Sequence, residues 1–384
     1  MYGPMTDVLI IGAGPAGLAA ARGAIDCGAS VTIIDDNLAA GGQIWRGVSI
    51  PPEWSSKPEL VYGARVINAE PGRVTIETMD GHRTIEWRSL VLATGARERF
   101  LPFPGWTLPH VTGAGGLQAL VKAGMPIAGK RVVVAGSGPL LLAVARYLRT
   151  RGAKVALVAE QASQSSIVRF ALANPGKLLR GLSLRAGVRY LTSCWPVAAA
   201  RGGVTLRRGC KTWTEPCDYL ACGFGLIPNT EVAELLGCRI GAAGVEVDER
   251  QQTSVPGVFA AGEVTGIAGL DTALAEGGVA GYAAARKPGP LRPSQSFARS
   301  LATTFALRDE LKTLATDNTI LCRCEDVPLG RVRECRNWRE AKLHTRCGMG
   351  PCQGRVCGAA AEFLLDWKPD SVRPPIFPAR IGSL

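Results

Sequence analysis

Apolar runs broken by glycine turns set the rhythm of this chain. Val8-Leu9-Ile10-Ile11 runs straight into a glycine loop, the pattern of a strand buried on both faces of a parallel sheet. Gly17 to Cys27 is Ala-rich with helical spacing, and Val31 to Ile34 predicts the next strand. Residues 61–87 alternate instead, as in Arg73-Val74-Thr75-Ile76-Glu77, with a turn at Asp80-Gly81. That alternation predicts a small antiparallel meander. Ser89 to Gly95 reads as another buried strand.

The first unit then recurs. Arg131 to Ala135 predicts a strand, a glycine loop follows, a helix runs to Gly152, and Val155 to Ala159 predicts a second strand. Val258-Phe259-Ala260-Ala261-Gly262-Glu263 predicts a return to the first sheet, and Pro288 to Pro293 a linker. The pattern therefore predicts an α/β fold with two dinucleotide-type domains. The first is discontinuous, over 1–111 and 226–287, and the second covers 112–225. A linker over 288–317 leads to a small cysteine-rich domain and tail over 318–384.

Bulk properties narrow the function. With 47% hydrophobic and 20% charged residues, the 384-residue chain has an ordinary globular balance. Met1 to Asp7 lacks a basic leader, and no apolar stretch reaches the ~18 residues of a spanning helix, which predicts a cytoplasmic chain with at most peripheral membrane contact. The net charge of +12 is concentrated late: residues 286–384 hold 17 basic and 10 acidic residues. Without a helix-turn-helix or an RNA-recognition motif, this predicts a solvated face or a surface that steers an acidic partner, not nucleic-acid binding.

Gly12-Ala13-Gly14-Pro15-Ala16-Gly17 matches G-x-G-x-x-G between a strand and a helix. Gly12 permits the tight turn, Gly14 admits a diphosphate to the backbone, and Gly17 allows close helix–strand packing. The helix N-terminus, with Pro15 and Ala16, offers free N–H groups and a partial positive charge. Asp35, 23 residues after Gly12 and followed by Asp36, stands where an acid accepts ribose hydroxyls. Gly41-Gly42-Gln43, Thr94-Gly95 and Gly262-Glu263 complete a pattern that resembles the flavoproteins with two dinucleotide domains, the thioredoxin and glutathione reductases among them. The resemblance implies FAD on Gly12, Gly14, Pro15, Ala16, Gly17, Asp35, Asp36, Gly42, Gln43, Thr94, Gly95, Gly262 and Glu263. In that family the acid after Gly262 is usually Asp and holds the ribityl chain.

The second loop, Gly136-Ser137-Gly138-Pro139-Leu140-Leu141, has Leu in place of the third glycine, which predicts crowding of a diphosphate. Glu160 lies at the ribose-acid position, with no basic pair after it, which disfavours NADPH. Two readings stay open here, a domain with no nucleotide and a site for NADH or another adenine nucleotide. The chain has no Cys-x-x-Cys, so the redox disulfides of thioredoxin and glutathione reductases are absent. His82, His110 and His344 form no triad or zinc pattern, and no catalytic acid or base stands out.

Cys322-Arg323-Cys324, then Cys347, Cys352 and Cys357, form a late cluster that reads as metal ligation. The spacing resembles the bacterioferritin-associated-ferredoxin-like [2Fe–2S] module, with Cys322, Cys324, Cys347 and Cys352 as ligands. Cys357 is the reserve, on a helix from Arg355 that predicts a side chain pointing elsewhere. Zinc and a metal-free cluster are the alternatives. Six arginines, Arg323, Arg331, Arg333, Arg336, Arg339 and Arg346, surround these thiols and would offset a cluster's negative charge.

Taken with Gly42-Gln43-Ile44-Trp45-Arg46, the segment from Ala93 to Arg99 and Pro102-Phe103-Pro104-Gly105-Trp106, almost the whole chain resembles one group. That group is the α (A) subunit of multi-subunit amine and imino-acid dehydrogenases: opine oxidases, hydroxyproline dehydrogenases and the B subunit of hydrogen cyanide synthase, with heterotetrameric sarcosine oxidase more distant. The resemblance implies an FAD-dependent electron-transfer subunit with a [2Fe–2S] cluster. It also implies a β subunit that oxidises the substrate's C–N bond on its own FAD. FMN at the interface and a small ferredoxin-like γ subunit are features of some relatives. The alternatives are a stand-alone NADH-dependent reductase, a component of hydrogen cyanide synthase and a non-enzymatic scaffold.

Overall fold

The computed structural model describes residues 5–47, 49–52, 58–176, 187–369 and 372–383. Residues 1–4, part of the leader reading, lie outside the described residues. Among the described residues no helix is long and apolar enough to cross a membrane.

The chain divides into two compact units. The first comprises residues 1–97, 227–298 and 371–384, and the second residues 98–226 and 299–370. Contacts thus group residues 98–111 with the second βαβ domain rather than the first. They also join residues 299–370 to that same domain and residues 371–384 to the first unit.

In the first unit, β1 (Thr6–Ile11) leads through the glycine turn to α1 (Pro15–Asp26) and then to β2 (Val31–Ile34). The apolar residues of β1 and β2 are buried to the last position, as a strand covered on both faces requires. After β2 come β3 (Glu59–Val61), β4 (Arg65–Glu70), β5 (Arg73–Thr78) and β6 (Gly81–Leu92). The sheet runs β3-β2-β1-β6-β5-β4, with Val258–Ala260 also pairing β6 in parallel. The last strand of the meander and the buried strand predicted after it are one continuous strand, β6. Residues 81–86 of β6 bond antiparallel to β5 and are partly exposed; residues 89–92 are wholly buried between β1 and Val258–Ala260.

Helix α1 lies against the helix Leu270–Ala284 at backbone contact. A Cβ on Gly277 would stand 2.2 Å from the Ala16 carbonyl oxygen, and one on Gly281 would stand 2.1 Å from that of Ala20. Only glycine fits at these two positions, and the close approach brings the 262–263 turn to the first glycine loop.

The second unit repeats the plan. Its parallel sheet runs Tyr190–Thr192, Lys154–Glu160, Arg131–Ser137, Tyr219–Phe224 and Val111–Gly113. A three-stranded antiparallel sheet, Cys194–Ala200, Gly203–Arg208 and Lys211–Pro216, flanks it. Within the stretch predicted as a linker, Ser296–Thr304 is a helix with no buried residue. The cysteine segment has its own small core of Leu321, Val327, Leu329, Val332, Trp338 and Ala360.

Candidate functional site

Two sites emerge, one in each unit. In the first unit the loop after β1 is held by the acid that ends β2. Asp35 Oδ2 accepts the Ala13 N–H at 2.6 Å, and Oδ1 accepts the Asn37 N–H at 2.8 Å. Gly12 adopts φ +108°, and a Cβ there would stand 2.3 Å from the Ala93 carbonyl oxygen. Gly17 is equally tight, its Cβ position 1.9 Å from the Gly12 oxygen. Gly14 differs: nothing lies within 4 Å of a Cβ built there. The loop therefore presents open space at the glycine whose role is to admit a phosphate, while its neighbours are locked by backbone.

The other residues predicted for this site gather around that loop. Gly41 donates its N–H to the Ala13 carbonyl, and a Cβ on Gly42 would stand 3.1 Å from Gly14 Cα. Gln43 and Asp36 are exposed beside them. Thr94 donates its hydroxyl to the Asn229 carbonyl at 2.7 Å, and Asn229 Nδ2 donates back to the Thr94 carbonyl at 2.9 Å. This pair fixes the Thr94-Gly95 turn, where Gly95 takes φ +64°. A Cβ on Gly262 would meet the Ala16 Cβ at 2.7 Å, so that turn touches the first turn of α1. Burial raises Glu263 above the usual carboxylate range.

One residue here carries no motif and was missed by sequence reasoning. Glu276, on the helix Leu270–Ala284, is almost wholly buried. It accepts from the Gly262 N–H at 2.9 Å, the Thr265 hydroxyl at 3.0 Å, Arg292 Nε at 3.1 Å and Gln295 Nε2 at 3.0 Å. It therefore fixes the 262–265 turn from behind. The only signal was an acid in the middle of a helix that is small and apolar beyond its first turn.

The second site lies in the cysteine segment. Cys322, Cys324, Cys352 and Cys357, with Arg323, Phe100, Trp106 and Val356, line a cavity of 330 Å³. The sulfurs of Cys322, Cys347 and Cys357 lie within 4.8 Å of one another, and all three residues are buried. Cys357, expected to point elsewhere, opens the helix Cys357–Leu365 and faces this group. The reason is the loop before it. Gly348 and Gly354 take φ +81° and +80° and lie against the indole of Trp338, curling the chain so that the first turn of the helix meets Cys322. Cys347 is close to the same sulfurs but does not line the cavity. Cys335, a further thiol of this stretch that the pattern left out, makes only a weak contact with the Arg331 carbonyl.

Hydrogen bonds from the thiols of Cys347 and then Cys357 push Cys322 well below the usual thiol range, and the same contacts push Cys347 and Cys357 up, so the group holds one thiolate between two thiols. The Gly348 N–H also points at Cys322 Sγ, at 3.5 Å. Trp106, buried, donates its indole N–H to the Ile320 carbonyl at 2.7 Å, and its ring lies 6.0 Å from that of Phe100. Of the arginines, Arg333 pairs with Asp317 at 2.6 Å and Arg346 with Glu325 at 2.8 Å, while Arg323 stands at the cavity. Convergent thiols, a backbone N–H aimed at one of them and an apolar wall suit a thiolate-bound metal or iron–sulfur group.

Of the three histidines, His110 is half-buried and His82 and His344 are exposed; none joins either site. Of the scattered thiols, Cys194, Cys217, Cys222 and Cys238 are buried, and burial pushes Cys194 and Cys217 up to about 11 and Cys222 higher still, whereas Cys27 is half-buried and Cys210 exposed.

Known proteins align with this geometry. Residues 6–289 match the family model described as pyridine nucleotide-disulphide oxidoreductase. The A subunit of the opine oxidase of Rhizobium meliloti (strain 1021) is 32% identical, with 98% of each chain covered. The HcnB subunit of the hydrogen cyanide synthase of Pseudomonas protegens is 30% identical over 91% of this chain and 89% of that one. Among solved structures, the L-proline dehydrogenase from P. horikoshii superposes with a TM-score of 0.70 at 19% identity, covering 100% of this chain and 80% of that chain. The T. acidophilum thioredoxin reductase gives 0.58 at 23% identity, over 74% and 99%. At such identities the two structures share the fold.

Proposed function

The chain belongs to the pyridine nucleotide-disulphide oxidoreductase family and is an FAD-dependent oxidoreductase, and from that premise we propose that it is the electron-relay subunit of a heteromeric dehydrogenase. In this reading a partner β subunit oxidises a secondary amine or an amino or imino acid, of the opine or hydroxyproline type. The observation that carries the reading is the coexistence, in one chain, of an open first glycine loop and a thiol-lined cavity. The end-to-end likeness to a protein named as the A subunit of an opine oxidase supports it. A hydrogen cyanide synthase subunit is the neighbouring assignment, favoured by the HcnB likeness.

The residues divide the work. Gly12, Gly14 and Gly17, with the N-terminal turn of α1 at Pro15 and Ala16, would hold the FAD diphosphate. Asp35, with Asp36 beside it, would hold the adenosine ribose, and Gly42, Gln43, Thr94 and Gly95 would line the flavin. The Gly262-Glu263 turn, braced by Glu276, would take the ribityl chain. The four thiols that line the cavity, Cys322, Cys324, Cys352 and Cys357, would hold a [2Fe–2S] cluster, with Cys347 behind them. When bound, FAD exchanges electrons singly or in pairs, and an iron–sulfur group passes them one at a time. Phe100, Trp106 and Val356 give the thiol-lined cavity an apolar wall.

The test is an anaerobic absorption spectrum with iron and sulfide analysis of the purified chain, before and after NADH. Flavin bands with about two irons and two sulfides per chain, unbleached by NADH, are expected. Co-purification with a second flavoprotein that reduces this one on adding an amine substrate would then identify the partner. Rapid bleaching by NADH would instead make the chain a reductase in its own right.

A further inference from the structure

The two glycine loops end on acids that are held differently. Asp35 reaches the Ala13 N–H of the first loop. Glu160, one methylene longer, reaches a residue further along its loop: Oε2 accepts the Gly138 N–H at 2.8 Å, and Oε1 accepts the Ala162 N–H at 2.8 Å. Gly138 stands at the position whose backbone would meet a diphosphate and, like Gly14, has nothing within 4 Å of a Cβ built there, so the two loops differ at the adenosine end and not at the diphosphate. Glu160 is also 0% exposed, whereas Asp35 retains 8%. An acid that receives ribose hydroxyls has to be reachable, and this one is not.

The chain's own residues after the helix Ser296–Thr304 lie against this end of the loop. Ser137, inside the second loop, donates its hydroxyl to the Phe305 carbonyl at 2.9 Å. Gln161, next to Glu160 and fully buried, donates from Nε2 to Ser137 Oγ at 2.9 Å and to the Ala306 carbonyl at 3.0 Å. Its Oε1 accepts the Arg308 N–H at 3.2 Å. The Arg308 guanidinium lies 4.8 Å from the centre of the Trp195 ring, and Phe305 meets Phe170 edge-on at 5.4 Å. Leu307 packs against the core of the same unit. The segment is thus fixed by backbone hydrogen bonds to two buried side chains of the site, and by a ring contact at each end.

We infer that residues 305–308 close the adenosine end of the second glycine loop, so that this loop accepts no nicotinamide or adenine dinucleotide. Leu141, standing in place of the third glycine and fully buried in the core beneath the loop, agrees with a loop that has a structural task. Electrons then have no nicotinamide entrance into this chain and enter through another redox protein. The closure stands on the second unit alone and does not depend on the thiols or on the identity of the partner.

The experiment uses the purified full-length flavoprotein. ADP-ribose and NADH are titrated by calorimetry, and exchange of backbone amides is followed by mass spectrometry with and without ADP-ribose. No saturable binding at millimolar ligand, with slow exchange across 305–308, is expected. Saturable binding that disappears in Glu160→Ala would overturn the inference, as would rapid exchange of the 305–308 amides in the unliganded protein. Binding that survives Glu160→Ala arises elsewhere and leaves the closed loop standing. Flavin, iron and sulfide content, measured on the same sample, report separately on the relay reading.

Discussion

The indole N–H of Trp106 donates to the carbonyl of Ile320 at 2.7 Å, two residues before Cys322. A residue from the start of the second unit thereby sets the strand that ends on Cys322, the first of the thiols, and its ring walls their cavity. Trp106→Phe keeps a wall and removes the bond, and should cost about 1 kcal/mol of stability. Trp106→Ala removes both and should cost about 3 to 5 kcal/mol, with a fall in iron per chain. Thermal unfolding and iron analysis of the two variants separate the bond from the wall.

The cavity distinguishes among the five clustered thiols. Cys357→Ser and Cys324→Ser should abolish the visible cluster absorption and the paramagnetic signal of the reduced protein while FAD stays bound. Cys347→Ser should retain both, because Cys347 is near the sulfurs of Cys322 and Cys357 but does not line the cavity. Loss of signal in Cys347→Ser with retention in Cys357→Ser would reverse the ligand assignment.

The first glycine loop gives a contrast within four residues. Gly14→Val places its side chain in open space, so the chain should fold and purify without FAD. Gly17→Val drives a Cβ to within 1.9 Å of the Gly12 oxygen and should prevent folding of the first unit. Circular dichroism and flavin content of the two variants read the difference, and stoichiometric FAD on Gly14→Val would refute the role given to this loop.

Burial raises Glu160 to about 7 from its ordinary 4.5, against the N–H groups of Ala162 and Gly138 that pull it down. Between those two values the folded chain keeps a proton that the unfolded chain has released. The stability this contributes is complete below pH 4.5 and is lost as pH rises to 7, by about 1.4 kcal/mol per unit and about 3 kcal/mol over the window. Urea unfolding at pH 5 and pH 8 should show that fall in the wild type and a flatter profile in Glu160→Gln.

Glu276→Leu leaves the Arg292 guanidinium and the Gly262 N–H without their acceptor. Breaking a buried pair from one side costs about 3 kcal/mol or more. The variant should also release FAD more readily, measured as free flavin after dialysis.

Much of the first unit was legible because its strands are buried on both faces, and continuous apolar runs bounded by glycine are unambiguous in that setting. The junction inside β6 was not. Residues 81–88 have one solvated face and residues 89–92 have none, so one strand carries two patterns and reads as two elements. The helix Ser296–Thr304 was hidden for the opposite reason: it buries nothing, and its docking residues, Phe305 to Arg308, act largely through backbone groups that no side-chain pattern reports. At the cysteines, spacing identified the cluster but not its membership. The path from Cys347 to Cys357 depends on φ > 0 at Gly348, Gln353 and Gly354, and on the Trp338 ring beneath, which is a matter of tertiary contact. Glu276 announced itself by nothing except its oddity in an apolar helix.

Residues 372–383 cross the meander of the first unit, where the Ile376 N–H meets the Ile67 carbonyl, the Arg380 N–H meets Glu77, and Ile376 enters the core. Translation therefore delivers the two units out of their sequence order. Every residue of the second unit, thiols included, has left the ribosome before the first unit receives its closing segment. The meander of the first unit thus receives its closing contacts from residues made about 300 positions later, after the cysteine segment is already available for metal.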